Sequence, residues 1–230
     1  MDVLSRRPNI LFLIWIRNQN IHFLLNKKLR RPIYRIKLIN ALTTIENGVR
    51  DGKHFKVWKV NGKLHRGLSQ DGKVEPAYII GISNDNPNGT LNAYYRNGER
   101  HRDDGPAIIN GISKYNPNGT SHYYYNNGNR HREDGPAYID GISNDNPNGT
   151  SHYYHKNGKL HRGVSQDGKV VPAIIRGISI DNPNGTQHAY LRNGELHRDD
   201  GPAIIRGISK DNPNGTHHSY YINGENVEPF

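Results

Sequence analysis

The chain of 230 residues has no cysteine, which excludes a disulfide framework and a zinc–thiolate site. That composition suits a reducing compartment. Hydrophobic residues make up only 33%, beside 25 glycines, too little for a thick core but enough for a thin one spread along an elongated fold. Long apolar runs are missing as well. Ile10 to Ile16 is a run of seven, far short of the ~20 that cross a bilayer, so no transmembrane segment is expected. Arg6 and Arg7 precede that run as in a signal peptide, but Arg17-Asn18-Gln19-Asn20 comes after it with no small-residue cleavage site, so a secretory leader is not expected. No P-loop, dinucleotide fingerprint or Gly-x-Ser-x-Gly occurs.

Acidic residues are scarce only at the start. In the first 50 residues Asp2 and Glu46 oppose ten basic side chains; the other 180 carry 21 basic and 19 acidic ones. The net charge of +10 therefore describes a basic N-terminal arm. Residues 1–48 read as a separate segment. Ile21, Leu24, Leu25 and Lys28 are spaced as one helix, ended by Pro32, and Ile33, Ile36, Ile39 and Leu42 as a second. Two roles fit: a helical cap on the rest of the chain, which is the favoured one, or a basic anchor for nucleic acid, anionic lipid or an acidic partner. Residues 49–230 read as the repeat array, and a chain starting near Ile45 is expected to keep its β fold without the basic segment.

What the chain has in abundance is repetition. Asn61-Gly62, Asn97-Gly98, Asn127-Gly128, Asn157-Gly158, Asn193-Gly194 and Asn223-Gly224 recur at steps of 36, 30, 30, 36 and 30 residues. An aromatic pair precedes most of them; His-Arg, Pro-Ala, Gly-Ile-Ser and Asn-Pro-Asn-Gly-Thr come after. A fixed period of this size means a stacked array. The two long steps hold near-identical insertions, Gly67 to Val74 and Gly163 to Val170, three copies apart, as in a duplicated three-copy block.

Asn-Gly between two extended runs signals a type I′ hairpin, because both turn positions need positive φ. A two-residue loop at Asn127-Gly128 opposes Asn126 to Asn129, Tyr125 to Arg130, Tyr124 to His131 and Tyr123 to Arg132. The same register opposes Trp58 to His65, Tyr94 to His101, Tyr154 to His161, Tyr190 to His197 and Tyr220 to Val227, and sets Arg96 against Glu99 and Arg192 against Glu195 as cross-strand ion pairs. Turn glycines are Gly62, Gly98, Gly128, Gly158, Gly194 and Gly224. In Pro136-Ala137-Tyr138-Ile139-Asp140-Gly141-Ile142 and its kin, Ala and Ile hold alternate positions while the residues between them vary, the period of a half-buried strand. Asn86-Pro87-Asn88-Gly89 and its four relatives then turn the chain. The expected fold is all-β: about six antiparallel hairpins stacked into an elongated single sheet or solenoid, roughly 55–60 Å long at ~4.8 Å per strand.

The string Tyr-Tyr-x-Asn-Gly-x-x-His-Arg-x-Asp-Gly-Pro-Ala, over about residues 51 to 226, resembles the MORN hairpin repeat, in the variant form abundant in large DNA viruses of amoebae. Arg102, Arg132 and Arg198 stand where the usual repeat has Gly. The resemblance implies an all-β hairpin array that binds proteins or, in some members, membrane lipids, and a viral protein of the infected cell or virion. The location expected is intracellular, cytoplasmic.

Thirteen histidines raise the question of a metal. Rungs of the ladder His65, His101, His131, His161 and His197 should lie ~10 Å apart, too far to share one ion. A second set, His122, His152, His188 and His218, shares their face in the expected register. The favoured role for the ladder is packing against Trp58, Tyr94, Tyr124, Tyr154 and Tyr190, with the imidazoles buried and neutral; no metal or cofactor is expected. Asn88-Gly89-Thr90 and its relatives are glycosylation sequons that read here as turn chemistry. His101-Arg102-Asp103-Asp104 offers acid–base groups, but the copies repeat them, whereas an active site is a unique convergence. An enzyme is not expected. The arginines of the His-Arg pairs are expected to pair with nearby acids, or else to line an exposed row. Arg100, Arg102, Arg130, Arg132, Tyr95 and Tyr125 are the candidate partner-binding residues. The function expected is a non-enzymatic scaffold for protein–protein contact; the alternative is an array binding a polyanion, glycan or anionic lipid.

Overall fold

The structure, a computed structural model, describes residues 43–69 and 71–229. It is all-β there, with no helix. The helices expected within residues 1–42 lie outside the described residues. Residues 43–48, read as part of the N-terminal segment, belong to strand β1 (Thr43–Arg50), which pairs along its whole length with β2 (Lys53–Val60) across Asp51-Gly52. Asp51 and Gly52 have φ of 49° and 73°, the same turn geometry as the Asn-Gly pairs.

One long antiparallel sheet runs through the described residues and does not close. Thirteen strands succeed one another in chain order, and Lys63–Leu64 joins off that path against β2. After β1 and β2 each copy adds two strands. One is the return strand, such as Tyr138–Asp140; the other precedes the hairpin, such as Ser151–Tyr153. Four of the six Asn-Gly hairpins form separate short ladders, while the arms Lys63–Leu64 and Glu225–Val227 stay in the main sheet. Tyr125 opposes Arg130 and Asn126 opposes Asn129, with φ of 45° and 79° at Asn127 and Gly128. His131 N donates to Tyr124 O at 3.1 Å, as the two-residue loop requires. There the predicted pairing ends. Tyr123 does not oppose Arg132; it lies in the main sheet between Ile108 and Tyr138. The chain leaves the sheet at Tyr124, whose N–H bonds Ala137 O at 2.8 Å.

The two faces of the sheet differ. One carries a row in which isoleucine alternates with histidine, or with asparagine in the first copy: Ile79, Asn92, Ile109, His122, Ile139, His152, Ile175, His188, Ile205 and His218. Side chains on the other face come from the positions that vary between copies. Ala77, Ala107, Ala137, Ala173 and Ala203 are fully buried, so the recurring alanine fits a site with no room for a larger group. In the C-terminal copies the variable face meets the hairpins in an aliphatic cluster, where Leu160, Leu191 and Leu196 pack on Ile174, Ala189 and Ile204.

Candidate functional site

Most of the recurring polar side chains are occupied in holding copies together. Nδ1 of His65, His101, His131, His161 and His197 accepts the backbone N–H of the turn asparagine one hairpin further on, Asn97, Asn127, Asn157, Asn193 and Asn223, at 3.0–3.2 Å. The adjoining glycine N–H bonds a carbonyl of the same earlier hairpin, as Gly128 does with Arg100 at 3.0 Å. A backbone N–H only donates, so each Nδ1 is unprotonated and Nε2 carries the hydrogen. In three copies that nitrogen faces an acid: Asp103 at 2.7 Å, Glu133 at 2.9 Å and Asp199 at 3.0 Å. Burial would raise the Asp103 carboxyl, but hydrogen bonds from Arg96 and His101 outweigh it and leave the group below its usual range.

The aromatic of each hairpin stacks with arginine. The guanidinium carbons of Arg66, Arg102, Arg132, Arg162 and Arg198 lie 3.8, 4.1, 4.1, 3.7 and 4.1 Å from the ring centres of Trp58, Tyr94, Tyr124, Tyr154 and Tyr190. Each aromatic–histidine pair expected from the sequence thus shares its backbone bond, and the ring's cationic partner is the next residue. Nε of Arg102, Arg132 and Arg198 also meets Asp104, Asp134 and Asp200 at 2.7–2.8 Å, and Arg66 meets Glu75 at 2.6 Å. Arg102 and Arg132, two of the candidate contact residues, are therefore engaged internally. Arg96 and Glu99 are opposed in register, yet Arg96 pairs with Asp103, and Arg192 reaches Asp199 at 3.6 Å rather than Glu195.

The second histidine set bonds to turns. Nε2 of His122, His152, His188 and His218 donates to the carbonyls of Asn118, Asn148, Asn184 and Asn214 at 2.7–2.8 Å. Burial holds His122, His152 and His188 below the ordinary imidazole value, against the raising effect of those carbonyls. Among the described residues no three His, Cys, Asp or Glu side chains converge as a metal site requires.

The remaining candidates come together on the variable face in the middle of the array. Tyr123, Tyr138 and Tyr153 stack in succession, with ring centres 4.4 and 4.9 Å apart and planes 7° and 19° from parallel. Arg130 lies 5.4, 5.8 and 5.5 Å from the rings of Tyr123, Tyr125 and Tyr138, with Nη2 3.4 Å from the Tyr125 hydroxyl. Arg100 lies 5.4 Å from the Tyr125 ring, and the Tyr95 hydroxyl holds its pKa above the ordinary value. Arg176 closes the far end, donating to the Tyr153 hydroxyl at 3.2 Å. Burial, then the neighbouring Tyr123 hydroxyl, pushes the Tyr138 phenol up, so it stays protonated and able to donate. The structure thus unites Arg100, Arg130, Tyr95 and Tyr125 with Tyr123, Tyr138, Tyr153 and Arg176, which sequence reasoning missed. A signal was present. Tyr138 stands where three other copies have Ile108, Ile174 and Ile204, and Tyr123 and Tyr153 stand where Ala93 and Ala189 do.

Between the bases of successive hairpins run open grooves. One of about 410 Å³ is lined by His101, Arg102, Asp103, Asp104, Tyr124 and His131, among others, and the next, about 660 Å³, by Arg132, His155 and His161 among others. They repeat along the array as the loops do. No family model, curated protein or solved structure matches the chain.

Proposed function

We propose that this chain is a non-enzymatic scaffold of MORN-like hairpin repeats that holds a protein partner on its Tyr/Arg face. One observation carries the reading. The recurring histidines and turn asparagines bond from copy to copy and the arginines of the His-Arg pairs stack on the aromatic of their own hairpin, whereas the Tyr/Arg cluster does not recur in every copy. Repeat proteins keep a constant frame and vary the residues of one surface, and that surface is where they bind. Tyrosine and arginine are also the side chains over-represented in binding hot spots.

A second reading has its own support. Arg100 and Arg130 have no carboxylate partner among the described residues, as an array binding a polyanion, glycan or anionic lipid would require. Crosslinking and pulldown with the full chain separate the two. A single stoichiometric protein, lost on Tyr125→Ala while β circular dichroism is kept, is expected. Salt-sensitive binding to heparin or anionic vesicles, with no protein captured, would replace the scaffold reading by the second one.

A further inference from the structure

The hairpin packs on the sheet through equivalent positions in every copy, yet two chemistries occupy them. In the C-terminal copies the filling is aliphatic: Leu160, Leu191 and Leu196 on Ile174, Ala189 and Ile204. In the middle copies the same positions hold Tyr95 and Arg100, Tyr125 and Arg130, and His155, with Arg130 against Tyr123, Tyr125 and Tyr138 and Arg100 against Tyr125. In the aromatic–cationic version Arg130 Nε and His155 Nδ1 are buried without a hydrogen-bond partner among the described residues, a cost that the aliphatic version does not carry.

Resting on the scaffold reading, we propose that this strip receives an extended acidic segment of the partner protein, with carboxylates three residues apart seated on Arg100 and Arg130. The charge is complementary: neither arginine has a carboxylate partner among the described residues, whereas Arg66, Arg102, Arg132 and Arg198 each have one. Arg100 and Arg130 are one copy apart, two strand spacings or ~10 Å, and a segment in the extended polyproline-II conformation covers that distance in three residues at ~3.1 Å each, one full turn, so that both carboxylates face the strip. A guanidinium presents parallel N–H groups that match one carboxylate, and the tyrosine rings between them offer flat apolar contact to the intervening side chains. Arg130 is partly buried behind Tyr123, Tyr125 and Tyr138, so a slender carboxylate side chain reaches it and a flat membrane surface does not. Asp140, on the same face and 2.5 Å from Ser121 Oγ, repels a continuous polyanion but leaves room for charges spaced to avoid it.

The test is fluorescence anisotropy with the full chain and three probes: a proline-rich, polyproline-II peptide with Glu at every third position, the same peptide with Lys for Glu, and heparin. The Glu peptide should bind, the Lys peptide should not, and Arg100→Gln and Arg130→Gln should each weaken binding at least about tenfold. Arg100 is exposed, so its variant folds as wild type does, with circular dichroism as the control. Equal binding of both peptides, a preference for heparin, or binding unchanged by Arg100→Gln overturns the proposal. A protein partner captured equally by wild type and by both variants overturns this site while leaving the scaffold reading intact; if no protein is captured at all, the scaffold reading itself fails.

Discussion

Asn157 gives its backbone N–H to His131 Nδ1, one hairpin back, at 3.1 Å. Replacing His131 with Phe keeps a planar ring but strands that donor. The expected loss is about 1–3 kcal/mol, read as a lower urea midpoint, and a midpoint within error of wild type would show that the bond does not support the stack. Imidazoles elsewhere set a pH dependence. Burial lowers His122, His152 and His188; burial, then Arg96, lowers His65; and burial, then Arg130, lowers His155. The unfolded chain, with histidine near ~6.5, binds protons that the folded chain refuses. Stability is therefore complete above the unfolded value and lost as pH falls through it toward the folded ones. The urea midpoint should be lower at pH 5 than at pH 7.5; an equal or higher value at pH 5 contradicts the burial of these rings. Glycines separate in the same way. Gly128 has φ +79° but open space beyond it, with nothing nearer than Glu99 Cβ at 3.9 Å; Gly141 has φ +70°, and a Cβ there would collide with Thr150 Oγ1. Gly141→Ala should lower the melting temperature more than Gly128→Ala, by the added cost of overpacking, about 1–3 kcal/mol.

At the scale of the element, the tight return does more than reverse the chain. Asn146 Nδ2 donates to Gly149 O in its own turn at 3.0 Å and to Ile178 O in the next copy at 3.4 Å, and Ile178 N returns a bond to Thr150 O at 2.9 Å. Asn86, Asn116 and Asn182 do the same. Asn212 lies in the last return and keeps only its local bond, to Gly215 O at 3.1 Å. Asn146→Ala should therefore cost more than Asn212→Ala, by roughly one hydrogen bond or about 0.5–1.5 kcal/mol. Equal midpoints would mean that the bridge to the next copy adds nothing. The sequons of these turns use the other asparagine, such as Asn148, whose carbonyl accepts from His152 at 2.7 Å.

At the scale of the whole molecule, strand pairing and turn-to-turn bonds join each copy to its neighbours in sequence, which makes the array close to one-dimensional. Hydrogen exchange should be slowest in the middle strands and faster toward both ends; uniform protection would indicate one all-or-none unit. The chain starting at Thr43 should keep its β circular dichroism, since β1 begins there and pairs fully with β2. A start near Ile45 would cut into that strand. Ile45 and Val49 are 53% and 59% exposed on β1, so the shortened chain should associate more readily through this edge. Complete loss of β signal in the soluble shortened chain would show that residues 1–42 are needed for the fold.

The amino-acid sequence by itself determined the period, the turns and the hairpin register. These are local: positive φ at Asn127 and Gly128, a fixed φ at Pro, and a two-residue loop that leaves one pairing at Tyr125 and Arg130. The Asp51-Gly52 turn carried the same signal but lies outside the repeated words, and β1 went unread with it. Only the tertiary structure decided where the arms leave the sheet, that arginine rather than histidine stacks on each aromatic, and that each histidine serves the next hairpin. Those facts depend on contacts between copies, which a register within one hairpin does not specify. Half of the candidate strip was legible as Arg100, Arg130, Tyr95 and Tyr125. Tyr123, Tyr138 and Tyr153 joined it because three strands place their rings side by side at ~4.8 Å spacing. Arg102 and Arg132 left it because stacking on Tyr94 and Tyr124, with Asp104 and Asp134 at hand, occupies a guanidinium more fully than solvent does.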